Sequence, residues 1–175
     1  MMKLFDGSNR LKWREEAVSA HHQAIRYAPG EAEAYRGLGG NSQPSQAATF
    51  YRKLIELKPE DVEAHKSLGY VYQELEQYVA AIGEYRWVLE RTVDVDTVIN
   101  LGWAYEDAHM KREALASYQR AVRLKPDYPR AHLMLGKFYV DRLKNKKLAL
   151  AELRILRPLD PKLADDLAMM INLFR

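Results

Sequence analysis

The sequence predicts an all-α array of antiparallel helix pairs, and three observations carry that prediction. Alanines recur at Ala17, Ala47, Ala81, Ala114 and Ala149, 30, 34, 33 and 35 residues apart, and four residues after each stands His21, Tyr51, Tyr85, Tyr118 or Leu153. Leu-Gly pairs repeat in the same frame at Leu38-Gly39, Leu68-Gly69, Leu101-Gly102 and Leu135-Gly136, with Tyr72, Tyr105 and Tyr139 three residues beyond the glycine. Prolines close units at Pro29, Pro59, Pro126 and Pro161, while the slot between Pro59 and Pro126 holds Val93, which predicts a less rigid turn there. Spacings of three and four place the apolar residues of each half-unit on one helical face.

The elements follow in chain order. Leu4 and Phe5 read as the remnant of an inner helix, and a helix is expected from Arg10, with Glu15 and Glu16 near its positive end. Ala17, Val18, His21, Ala24 and Ile25 form its buried stripe and His22 faces solvent; adjacent histidines point about 100° apart and chelate one metal poorly, so no metal site is expected. Glu31 to Gly39 is a short inner helix ended by Gly39-Gly40-Asn41-Ser42, with Ser42 or Gln43 as the next cap and Pro44 in the following first turn. The interval from Gly39 to Ala47 is four residues shorter than that from Gly69 to Ala81, so about one helical turn is missing. Asp61 and Asp94 cap the helices that start at Val62 and Val95. The turn from Arg142 to Lys147 is basic and one residue longer, and Pro158 is expected to end its helix early. Asp160-Pro161 starts a last helix whose stripe is Leu163, Leu167, Met170, Ile171 and Phe174.

A period near 34 residues with Leu-Gly, Tyr, Ala, aromatic and Pro in this order resembles the tetratricopeptide repeat, most closely over 62–161 and more loosely over 10–61. The resemblance implies one domain, a right-handed superhelix of about four and a half repeats. Its parts are a partial first repeat at 10–31, a shortened repeat at 32–61, repeats at 62–94, 95–128 and 129–161, and a capping helix at 162–175. It also implies a binding role, since such arrays mostly bind proteins.

Composition agrees with a folded interaction module. The chain has 175 residues, 47% hydrophobic and 29% charged, and no cysteine, which removes disulfides, thiolate metal sites and thiol nucleophiles. No apolar run approaches the roughly 18 residues needed to cross a bilayer, and Met1 to Phe5 is too short for a signal core, so a complete chain is expected in the cytoplasm without membrane insertion. Charge is unevenly spread: residues 59–107 hold three basic and eleven acidic side chains, and residues 109–158 thirteen basic and four acidic. This bipolarity suits steering of a partner or head-to-tail attraction between copies.

No catalytic set is present: there is no His-Glu-x-x-His, Gly-x-Ser-x-Gly or phosphate loop, so neither an enzyme, a cofactor nor a small-molecule substrate is expected. His65 and His132 take the large-aromatic slot three residues before the leucine, which points to a packed role. In the family the inner helices line a groove, and the resemblance places Arg36, Lys66, Tyr70, Gln73, Ile99, Asn100, Trp103, Glu106, Arg130, Leu133 and Lys137 on that face, with Tyr70 and Trp103 as apolar anchors for a peptide. Relatives that bind acidic chaperone tails hold two carboxylates with five polar residues. The corresponding residues here are Lys66, Tyr70, Asn100, Arg130 and Met134, so two donors are lost and that specificity is not expected. The alternative is self-association through a second interface of Trp87, Ile155, Met169 and Leu173, with Gly83 leaving room for the Trp87 indole to lie flat. Nucleic-acid binding ranks third: the inner helices carry no recurring base-reading pattern, and what remains is phosphate contact at the basic turn from Arg142 to Lys147.

Overall fold

A computed structural model describes residues 7–173, and these form ten helices: α1 (Gly7–Tyr27), α2 (Ala32–Asn41), α3 (Pro44–Leu57), α4 (Val62–Glu74), α5 (Tyr78–Arg91), α6 (Val95–Asp107), α7 (Lys111–Leu124), α8 (Pro129–Asp141), α9 (Lys146–Leu159) and α10 (Pro161–Leu173). Leu4, Phe5 and Phe174 lie outside the described residues. The chain divides into two compact units, Met1–Glu84 and Tyr85–Arg175, with the division inside α5.

In the first unit the core gathers Ala32, Tyr35, Ala47, Tyr51, Leu54, Ala64, Leu68 and Val71. The glycine of the Leu-Gly pair is there because the outer helix comes close: a Cβ at Gly39 would stand 2.8 Å from the Tyr51 ring. Helix α2 runs through Gly39 and Gly40 to Asn41 and does not stop at the glycines, and Asn41 Nδ2 donates back to the Gly37 carbonyl at 2.8 Å. Gln43 stands at the cap without a side-chain bond, and Pro44 opens α3. From its first residue to its glycine α2 has the same length as α4, α6 and α8; its shortness, 10 residues against 13, lies wholly after the glycine.

The missing residues include one with unusual geometry. In α4 and α6 the helix ends in a Schellman motif, with Glu76 N–H donating to Gln73 O at 2.9 Å and Gln77 N–H to Tyr72 O at 2.8 Å, and His109 and Met110 repeating the pattern on Glu106 and Tyr105. This requires left-handed backbone at Glu76 (φ 58°) and His109 (φ 61°), and the longer turn after α8 puts Lys144 there (φ 53°). The two-residue turn from α2 to α3 has no such residue.

The second unit packs Val98, Ile99, Tyr118, Leu135, Phe138, Leu156, Leu167 and Ile171 into one core. A Cβ at Gly102 would meet the Tyr118 ring at 2.8 Å, and at Gly136 it would meet Leu167 of α10 at 2.6 Å. The capping helix thus fills the place that an outer-helix aromatic takes elsewhere. Pro158 does not shorten α9, which continues to Leu159. Its ring is on the exposed side of the last turn, where one lost amide matters little, while Leu156 beside it is fully buried and its carbonyl accepts from Asp160 N–H at 2.8 Å.

Three inter-repeat links are four-residue turns with proline second: Glu31 N–H donates to Ala28 O at 3.0 Å, Asp61 N–H to Lys58 O at 3.1 Å and Tyr128 N–H to Lys125 O at 3.1 Å. The α5–α6 link, Thr92-Val93-Asp94, is one residue shorter, so Thr92 and Val93 stand before the capping aspartate where the preceding link has Lys58, Pro59 and Glu60. Asp61, Asp94 and Asp160 cap their helices, accepting from Ala64, Thr97 and Leu163 N–H at 3.0, 3.2 and 3.0 Å.

Candidate functional site

Helices α6 and α8 carry seven of the eleven residues expected to line a groove: Ile99, Asn100, Trp103, Glu106, Arg130, Leu133 and Lys137. The position immediately after each repeat glycine is their exposed row: Trp103 is 43% exposed and Lys137 is half-buried one repeat on. In the first unit the same position holds Gly40 and Tyr70, and Tyr70 is 50% exposed. The Tyr70 hydroxyl is bonded to Glu74, which raises its pKa and keeps the phenol protonated.

Around Trp103 the polar residues are tied to one another. Arg130 Nη1 lies 2.5 Å from Asp96 Oδ1, and its Nη2 donates to Asn100 Oδ1 at 2.8 Å, so one guanidinium links α8 to two points on α6. Tyr128 O–H donates to both Asp96 oxygens at 2.9 Å; burial and this bond push the phenol above its ordinary pKa. Lys125 stands over the Tyr128 ring, 4.8 Å from its centroid.

Glu106 is similarly occupied. Its Oε2 accepts from Tyr118 O–H at 2.9 Å and its Oε1 from Arg142 Nε at 2.6 Å. Burial and the adjacent carboxylate drive the Tyr118 phenol far above its ordinary pKa, and Glu106 raises that of Arg142. Asn100, Glu106 and Arg130 are thus each held by neighbouring side chains, while the Trp103 indole is 43% exposed.

The first unit follows the same logic. Arg36 bonds to Glu33 at 3.0 Å and to Asp61 across to the next repeat. Burial would raise the Asp61 carboxyl, but the Arg36 guanidinium and the Ala64 amide outweigh it and hold the group below the usual carboxylate range. Lys66 pairs with Glu63 at 2.6 Å, and Gln73 is half-buried.

Ile99 does not line the surface. It is fully buried, because α6 has neighbours on more than one side and its buried residues Thr97, Val98, Ile99, Leu101, Gly102 and Ala104 span a wider arc than one helical stripe. Leu133 is half-buried against the same core. Of the residues compared with the chaperone-tail clamp, Lys66, Asn100 and Arg130 are held by intramolecular partners and Met134 is half-buried against the core. The Trp87 ring does not fill the space at Gly83, where an added Cβ meets nothing within 4 Å; instead the Arg91 guanidinium lies over the indole, 3.7 Å from its centroid. Ile155, Met169 and Leu173 are exposed.

Sequence reading missed how the large-aromatic slot is used. His65 Nε2 donates to Pro59 O at 3.1 Å and His132 Nε2 to Pro126 O at 2.7 Å, while their Nδ1 atoms face Glu84 at 2.6 Å and Glu152 at 2.8 Å. Tyr35 O–H makes the same bond to Pro29 O at 3.1 Å. The signal was present: each ring stands six residues after its proline, and the repeat without the proline has Val98, which has no side-chain donor.

A tetratricopeptide-repeat model matches residues 40–91, and a second model of the same repeat matches 112–141. The chain is a tetratricopeptide-repeat protein. No curated protein matches it by sequence. Among solved structures it resembles a MamA double mutant (23% identity, TM-score 0.79, 87% of this chain and 88% of that one) and the crystal structure of MamA (21%, 0.78, 94% and 99%). It also resembles YrrB, described as a TPR protein with an unusual peptide-binding site (22%, 0.73, 90% and 84%). At these identities the likeness establishes the all-α tetratricopeptide-repeat fold. No described helix is long and apolar enough to cross a membrane.

Proposed function

We propose that this tetratricopeptide-repeat protein is a non-catalytic interaction scaffold that binds a peptide segment of a partner protein on the inner-helix face. The observation that carries the reading is Trp103, a large ring left 43% exposed above polar residues that already satisfy one another. A rigid aromatic anchor on a pre-ordered floor loses little conformational entropy on binding. Tyr70 plays the corresponding part in the first unit, and Lys137 supplies a cation beside the indole row.

Replacing Tyr70 and Trp103 together by alanine tests the reading. Immobilised wild-type protein should retain partners from the native extract that the double variant loses, with both giving the same helical circular dichroism. Equal capture by the two proteins rejects the inner-face site. The second reading, an assembly unit, draws on the exposure of Ile155, Met169 and Leu173. Sedimentation across a concentration range decides it, a strictly monomeric species counting against assembly.

A further inference from the structure

Some arginines of this protein are ion-paired and others are not, and on the outer helices Arg91 and Arg157 belong to the paired set. On the inner side Arg36, Arg130 and Arg142 are each ion-paired to a carboxylate. On the outer side Arg86 of α5 and Arg120 and Arg123 of α7 are exposed and form no ion pair with any described residue. All three line one groove of about 490 Å³ between the two outer helices, within the second unit.

Its floor is apolar. Leu101 and Tyr105 of α6 lie at the bottom, Leu89 forms part of the α5 wall, and Ala116 leaves the α7 wall low. Glu90 and Glu113 complete the lining; Glu90 lies 3.8 Å from Arg91, and the Ser117 hydroxyl is occupied by the Glu113 carbonyl at 2.8 Å. Three guanidinium groups without carboxylates, above an apolar floor, complement a ligand that brings both carboxylates and an apolar side chain. The two glutamates disfavour a continuous polyanion such as a nucleic-acid backbone, whose phosphates cannot avoid them, whereas a peptide can place its charges selectively.

We propose that the groove between α5 and α7 is a second docking site, taking an acidic peptide segment of a protein partner that seats one apolar side chain on Leu89, Leu101 and Tyr105 and presents carboxylates to Arg86, Arg120 and Arg123. The site is independent of the inner face, so either can fail without the other.

A fluorescein-labelled Glu-Asp-Leu-Glu-Asp peptide titrated with the full chain, read by fluorescence anisotropy, tests this. Arg120→Ala should weaken binding about tenfold and Arg120→Ala with Arg123→Ala further, as expected when charge-assisted contacts at a hot spot are truncated. Ala116→Phe, which fills the groove without changing charge, should abolish binding, and Trp103→Ala should leave it unchanged. A peptide with serine for leucine should bind at least several-fold more weakly, and a short oligo-dT strand should bind more weakly still. The proposal is overturned if wild-type protein does not bind the peptide, if the double arginine variant or Ala116→Phe binds as tightly as wild type, or if the serine peptide or oligo-dT matches the original. Circular dichroism of each variant confirms that the fold is intact.

Discussion

Adding a single methyl group at Gly102 should destabilise the protein, although alanine is the better helix former. In the middle of an exposed helix, glycine to alanine gains about 1 kcal/mol. At Gly102 the new Cβ would stand 2.8 and 2.9 Å from two carbons of the Tyr118 ring and 3.2 Å from Ser117 Cβ. The ring has little freedom to withdraw: Tyr118 is fully buried, its hydroxyl is held by Glu106, and Phe138 packs beside it at 5.6 Å between centroids. Forcing extra volume into such a core costs about 1–3 kcal/mol; set against the helix gain of about 1 kcal/mol, Gly102→Ala should lose up to about 2 kcal/mol net. Gly83 supplies the internal control, because its Cβ would enter open space and Gly83→Ala should gain up to about 1 kcal/mol. Urea unfolding followed by circular dichroism, with unchanged m values, measures both. If the two substitutions shift the midpoint in the same direction, the glycine–tyrosine contact is not what fixes glycine at this position.

Other substitutions probe the remaining contacts. Asp61 titrates below its unfolded value, so its contribution is present above the unfolded pKa of about 4 and is lost as pH falls through the folded pKa. Asp61→Asn keeps an oxygen that caps Ala64 N–H but loses the charge that pairs with Arg36, so it should cost about 1 kcal/mol or less at neutral pH and show a smaller further loss on acidification than wild type; parallel acid-unfolding curves would contradict this. His132→Phe strands the Glu152 carboxylate and the Pro126 carbonyl and should cost about 2–3 kcal/mol by urea unfolding, with His132→Tyr recovering part by restoring the bond to Pro126. Glu76→Gly should stabilise by about 1 kcal/mol because glycine adopts positive φ without penalty, and His109→Gly by less, since histidine tolerates that region better. Thermal midpoints of the two variants check the order.

The scaffold was legible because its determinants are local and recur. The alanine, glycine and aromatic register fixes which helices pair, and the aspartate caps at Asp61, Asp94 and Asp160 need information from within three residues. The candidate surface was legible to the extent that helix phase sets exposure, which holds for Tyr70 and Trp103. It failed at Ile99, where a further neighbouring element widens the buried arc, and at Trp87, whose partner is Arg91 on its own helix and not the space at Gly83. It also gave no account of Arg130, Asn100 and Glu106 as braces. Their partners lie on other helices, and nothing in the spacing of a single helix indicates whether a polar side chain meets another residue or remains available.

The shortened inner helix shows where length can change in such a chain. Counted from the helix start to the repeat glycine, α2 matches the full-length inner helices, and the Tyr51 ring sits on Gly39 as the Tyr118 ring sits on Gly102. The glycine therefore acts as the zero mark of a ruler. Residues can be deleted beyond it, together with the left-handed turn residue, without moving the outer helix off its seat. Genetic insertions and deletions should accordingly be tolerated between the glycine and the following outer helix and rejected before it. A deletion there also removes the inner-helix positions held by Gln73 and Glu106 in the full repeats, so the length of the inner helix can evolve separately from the fold that supports it.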